Sequence, residues 1–89
     1  MQTIKLLISG KVQGVWYRKS SSIKAEELNL KGTVRNLEDG RVEIVASGEK
    51  EDLERLVNWC KKGPELAIVD NIKLEILDDQ SFSDFRIIR

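Results

Sequence analysis

The run Gly10-Lys11-Val12-Gln13-Gly14-Val15-Trp16-Tyr17-Arg18 joins an alternating apolar segment to a helical one. Glycine at positions 10 and 14 permits backbone conformations closed to other residues, including positive φ. Successive amides in such a turn can converge into an anion-binding nest. The helix that follows adds free N-terminal amides and the positive end of its dipole at the same place. Arg18 and Lys19 then fall in the first helical turn, where the dipole disfavours a cation by about 0.3–1 kcal/mol. An anion in the loop would offset that repulsion, and the planar fork of Arg18 can hold two phosphate oxygens at once. The alternative is a plain strand–helix connection with Arg18 on a solvated surface. The run is not a P-loop, which needs a Lys-Ser/Thr pair after its second glycine, nor a GxGxxG dinucleotide loop.

Asn36 is the second candidate. It stands near the end of a strand, just before Leu37-Glu38-Asp39-Gly40. One reading is a turn-initiating Asn that satisfies local backbone groups. The other is an amide that orients a water, donating one hydrogen bond and accepting another. The sequence has no histidine and one cysteine, Cys60. The commonest general base is therefore missing, as are Ser-His and Cys-His arrangements. A structural zinc site and an internal disulfide are excluded on the same count. Any chemistry must come from Arg, Lys, Asn, Asp, Glu, Ser or the backbone.

These residues need elements to hold them. Thr3–Ser9 alternates, with Ile4, Leu6 and Ile8 on one side, and reads as a strand with one buried face. Tyr17–Leu28 reads as a helix, with Tyr17, Ser21, Ala25 and Leu28 on one face and Ile23 off it. Lys31–Leu37 and Arg41–Ser47 are strands joined by the Asp39-Gly40 turn, a tight-hairpin signal. Leu53, Leu56, Val57 and Cys60 form the apolar stripe of a second helix. Acids at its start and Lys61-Lys62 at its end suit the dipole, and Gly63-Pro64 stops it. Ile68–Leu77 alternates again through Ile72, Leu74 and Ile76. Asp78–Asp84 is a polar loop, and Phe85–Ile88 a short last strand.

The order βαββαβ plus a short C-terminal strand gives an α+β class: a ferredoxin-like sandwich with two helices on one face of a mainly antiparallel sheet. Residues 1–89 make one domain. This plan hosts many functions and assigns none.

The chain resembles the acylphosphatases over essentially its full length. The family's first signature, G-x-V-Q-G-V-x-F/Y-R, is matched from Gly10 to Arg18. Its second, G-x-V-x-N followed by D/N/K-G and a strand, is matched by Gly32-Thr33-Val34-Arg35-Asn36 and Asp39-Gly40-Arg41-Val42-Glu43. The Trp59…Gly63-Pro64 helix exit, the Val69-Asp70 pair and Phe85-Arg86-Ile87 are also similar. The resemblance implies hydrolysis of an acyl phosphate to a carboxylate and inorganic phosphate, with no covalent intermediate, metal or cofactor. It implies that Arg18 binds the phosphoryl oxygens and that the amides of Gln13, Gly14, Val15, Trp16 and Tyr17 complete the cradle. It also implies that Asn36 positions the attacking water. Four positions depart from the family's habit: Trp16 for a small residue, Asn29 for a glycine, Thr33 for a Trp and Ile68 for an arginine.

Other features weigh less. Fifteen basic residues balance fifteen acidic ones, which argues against broad nucleic-acid or membrane-surface binding. An RNA-binding sheet would need exposed aromatics, and Tyr17 and Phe85 are expected in the core. No apolar run reaches membrane-helix length and the N-terminus lacks a signal-peptide pattern, so a cytoplasmic protein is expected; a monomer acting on a small acyl phosphate is the expectation for its partners. Ser20, Ser21 and Ser22 are possible hydroxyl donors to phosphate, Ser21 least because it turns toward the sheet. If the last strand packs centrally, the carboxylate of Arg89 can pair with Arg18. The reading from another class is a ferredoxin-like module that binds an anion or regulates without turnover.

Overall fold

Alternation along the first segment produces a long strand, β1 (Gln2–Lys11), whose Ile4, Leu6 and Ile8 are buried. The computed structural model describes residues 1–89. The other elements are α1 (Tyr17–Glu27), β2 (Lys31–Asn36), β3 (Val42–Gly48), α2 (Lys50–Lys62), β4 (Ile68–Leu77) and β5 (Phe85–Ile88). The sheet order is β4-β1-β3-β2-β5. Every pairing is antiparallel except β2 with β5.

Each helix spans its own half of the sheet. α1 packs on β2, β5 and β3, and α2 packs on β4, β1 and β3. One core results, in which Val34, Val42, Ile44 and Ala46 meet Tyr17 and Ala25 of α1 and Leu53, Leu56 and Cys60 of α2. On α1, Tyr17, Ser21 and Ala25 are buried while Ile23 is exposed, as the spacing requires. Asn29 adopts φ 58, the left-handed conformation that ends a helix. α2 carries Glu51 and Asp52 in its first turn and Lys61 and Lys62 in its last. Gly63 (φ 69) closes it, its N–H donating to the Trp59 carbonyl at 2.8 Å.

The edge strand β4 differs from its pattern. Ile72, Leu74 and Ile76 lie opposite Ile8, Leu6 and Ile4, yet Ile76 is 68% exposed. A sheet margin extends past the helix above it, so correct alternation does not guarantee burial there. The opposite face of the sheet is polar and ion-paired, with Arg35 Nε on Glu43 Oε1 at 2.9 Å and Lys5 near Glu75 at 3.7 Å. None of the chain's five aromatic residues lies on the central strands β1 and β3, so this face offers no stacking platform for RNA bases.

Candidate active site

β1 runs two residues past its expected end, to Lys11, because its register on β4 shifts between Ser9 and Gly10. β4 presses close at that shift: a Cβ on Gly10 would collide with the Ile68 carbonyl oxygen and meet the Asp70 nitrogen at 2.8 Å. The loop proper begins at Val12. Gly14 turns at φ 74, and Trp16 takes φ 66 immediately before α1. Buried Val12, Val15 and Tyr17 pin the loop to the core. The Tyr17 hydroxyl donates to the Cys60 carbonyl at 2.7 Å, and its ring lies 5.7 Å from that of Trp59. Burial, followed by the neighbouring Cys60, holds the Tyr17 phenol far above its ordinary range. Burial likewise pushes the Cys60 thiol up to about 12, against a smaller opposing effect of Tyr17. Both groups are structural anchors, and neither is poised for proton transfer near neutrality.

The loop leaves its donors free. Among backbone hydrogen bonds outside the regular elements, none starts from the N–H groups of Gln13 through Lys19; the first donor is Ser20, to the Trp16 carbonyl at 2.9 Å. Part of that run is the open first turn every helix has. The remainder is loop backbone whose donors find no acceptor within the protein. α1 has no side-chain cap and no acid in its first turn. The usual ways of quieting a helix start are missing where two cations already stand.

A cleft of about 430 Å³ opens at this loop, and Gly14, Trp16, Arg18, Lys19 and Asn36 line it. Arg18 is half-buried, and the ion pairs of the protein do not include it. The structure therefore brings together Arg18, Asn36 and the loop amides Gly14, Trp16 and Tyr17. Gln13 and Val15 lie in the same loop without lining the cleft.

Asn36 reaches the cleft from the other side, at the end of β2. The turn beyond it closes through Leu37 N–H to the Arg41 carbonyl at 2.8 Å and Gly40 N–H to the Leu37 carbonyl at 3.2 Å. The Asp39 carboxylate accepts the Arg41 N–H at 3.1 Å, the main cause holding its pKa below the ordinary value. The turn is thus satisfied without the Asn36 side chain. Asn36 Oδ1 is buried with no hydrogen-bond partner. Of the two hydrogen bonds expected of a water-orienting amide, only the donating one is open to the cleft. A buried, unpartnered carbonyl costs about 1–3 kcal/mol, a cost that a purely turn-forming Asn would avoid.

One residue does more than its backbone amide suggests. Gln13 Nε2 donates to the Leu37 carbonyl at 2.8 Å and the Arg41 carbonyl at 2.9 Å. It thereby ties the loop to the hairpin that carries Asn36. Nothing local in the sequence marks this role, since the partners lie 24 and 28 residues away. Gln13→Ala is expected to lower kcat about ten-fold or more, because small misplacements of a positioned water are costly. Inhibition by inorganic phosphate should change far less. Steady-state kinetics with a phosphate inhibition series checks this, and equal losses in both would reduce Gln13 to a stability role.

Two expectations need correction. Ser20, Ser21 and Ser22 do not line the cleft, and Ser21 Oγ donates to the Arg18 carbonyl at 3.1 Å and Ser22 Oγ to the Lys19 carbonyl at 2.8 Å. The Ser21 and Ser22 hydroxyls are absorbed by their own helix, and Ser22 is buried like Ser21. Arg89 lines the cleft, but its carboxylate forms no ion pair with Arg18. β5 lies at the sheet margin beside β2 rather than centrally.

The fold is a ferredoxin-like sandwich, and its β1–α1 loop sets unpaired backbone donors beside Arg18. The family model for acylphosphatase matches residues 4–87. An acylphosphatase of Marinobacter nauticus is 58% identical over 82 residues, covering 91% of this chain and 89% of that protein. An acylphosphatase of Methylococcus capsulatus is 47% identical, covering 100% and 98%. The crystal structure of acylphosphatase from Bacillus subtilis superposes with a TM-score of 0.97 at 31% identity, over 100% of each chain. The chain belongs to the acylphosphatase family.

Proposed function

We propose that this acylphosphatase holds the phosphoryl group of an acyl phosphate with Arg18 and the amides of the loop residues that line the cleft, Gly14, Trp16 and Tyr17, and directs a water onto phosphorus with Asn36. The observation carrying this reading is the single cleft in which a half-buried, unpaired Arg18 faces the same space as Asn36. An acyl phosphate is already activated, because its departing carboxylate needs little or no acid assistance. The work left is to position water and stabilise charge on the equatorial phosphoryl oxygens.

In this mechanism Asn36 Nδ2 donates to the water oxygen, which attacks phosphorus. The bond from phosphorus to the acyl oxygen breaks, and the electron pair leaves with the carboxylate. No Asp, Glu or His side chain lines the cleft, so the water's proton passes to a phosphoryl oxygen of the substrate. The products are a carboxylate and inorganic phosphate. The reading is of a monomer that needs no nucleic acid, membrane or cofactor. No helix is long and apolar enough to cross a membrane. The lone cysteine is free and buried, which suits the reducing cytoplasm.

The decisive assay is release of benzoate from benzoyl phosphate in a chelator, run in ¹⁸O-labelled water. We expect turnover with label in phosphate. Label in benzoate would place the attack at the carbonyl carbon and overturn the role of Asn36. No release above buffer would favour an anion-binding module without turnover.

A further inference from the structure

Trp16 is the feature of the cleft that phosphate binding does not use. Its side chain is 74% exposed although it lines the cleft. Its backbone is left-handed at φ 66, an outlier for a bulky residue and a conformation that persists only when the surroundings impose it. Glycine would adopt that conformation without strain. The fold therefore carries a strained tryptophan where a smaller, freer residue would serve the loop equally well. Packing does not account for it, since the aromatic pair of the core is Tyr17 with Trp59.

We infer that the Trp16 indole is one wall of an acyl-group subsite that favours aromatic acyl phosphates. This rests on the acyl-phosphate reading of the site. The cleft's other apolar residues are Val12, Tyr17 and Ile87. Val12 and Tyr17 are buried, so they form floor rather than wall. Trp16 and half-buried Ile87 are the apolar surfaces a ligand can cover. At about 430 Å³ the cleft falls in the usual range of small-molecule sites, about 300–1,000 Å³, and a phosphoryl group fills only a small part of it. Once Arg18 and the amides hold the phosphoryl oxygens, the acyl group must project toward the rest of that space. A flat ring there meets the large exposed face of Trp16, whereas a methyl group covers little of it. The cations Lys19 and Arg89 on the same lining are the rival determinant, and would favour an acyl group bearing a second carboxylate.

The test compares kcat/KM for benzoyl, acetyl and succinyl phosphate in the wild type, Trp16→Gly and Trp16→Phe. Trp16→Gly relieves the left-handed strain, so its melting temperature should hold or rise. We expect the benzoyl-to-acetyl ratio to fall about three- to ten-fold in Trp16→Gly, the scale of one aromatic pair. Trp16→Phe should restore most of it. A ratio unchanged in Trp16→Gly overturns the subsite while turnover itself upholds the parent reading. A preference for succinyl phosphate that is lost in Lys19→Ala, with that ratio unchanged, assigns the selectivity to the cations and also overturns it. Equal losses on all substrates with weakened phosphate inhibition show a disturbed loop and overturn it too. Absence of wild-type turnover on all three removes the parent reading and the subsite together.

Discussion

Arg18→Ala is expected to lose turnover of benzoyl phosphate by about 10²–10³-fold or more, and to lose inhibition by inorganic phosphate with it. The magnitude follows from removing one charged donor aimed at developing negative charge, by analogy with an oxyanion hole. Both readouts should fall together, because the same fork meets the substrate's phosphoryl group and the product. Arg18 lacks a carboxylate partner and is half-buried, so its loss strands no buried charge. It also removes a cation from a helix start whose dipole repels it. The melting temperature should therefore hold or rise slightly while activity collapses. Arg18→Lys keeps the charge without the fork, and should recover phosphate inhibition better than turnover. Kinetics, a phosphate inhibition series and a thermal melt on each variant check this. Normal phosphate inhibition in Arg18→Ala would leave the cradle to the amides alone.

Asn36→Ala should behave differently. Turnover falls by about 10²-fold or more when the donor that fixes the water is gone, while phosphate inhibition stays close to wild type. Its effect on stability has an unusual sign. The substitution removes a buried carbonyl oxygen that has no partner, and such an oxygen costs about 1–3 kcal/mol. The variant should be as stable as the wild type or more stable. Asn36→Asp is a sharper control. It retains an oxygen, deletes the N–H donor and places a negative charge beside the phosphoryl group, so both turnover and phosphate inhibition should fail. Near-normal turnover in Asn36→Ala would end the water-positioning role. The pair separates holding from attack: one variant loses both, the other only the second.

Much of this was legible along the chain because it is local. Tyr17, Ser21 and Ala25 share a helix face by spacing alone, and they are buried. The hairpin at Asp39-Gly40 and the helix stop at Gly63 follow from residue chemistry, and both occur. What was not legible depends on sheet order. Leu74 and Ile76 alternate correctly but sit on a margin that α2 does not fully cover. Pairing of the Arg89 carboxylate with Arg18 needs a central last strand, whereas β5 is outermost. The neighbourhood of Arg18 and Asn36 arises because β3 sits between β1 and β2, and no local pattern encodes that. The Gln13 tie spans the same gap. The signatures name the candidate residues, and the register of three strands sets where those residues meet.

The unanswered amides between Gln13 and Lys19 also have a thermodynamic reach beyond the reaction. A native state with open donors is one that a suitable anion must stabilise, since the unfolded chain has no cradle to offer. Each ten-fold rise in free anion above its dissociation constant adds about 1.4 kcal/mol to the stability of the native state. The reaction's own product is such an anion. Inorganic phosphate would then protect the folded protein while it competes with substrate, so conditions that slow this catalyst are also those in which it lasts longest.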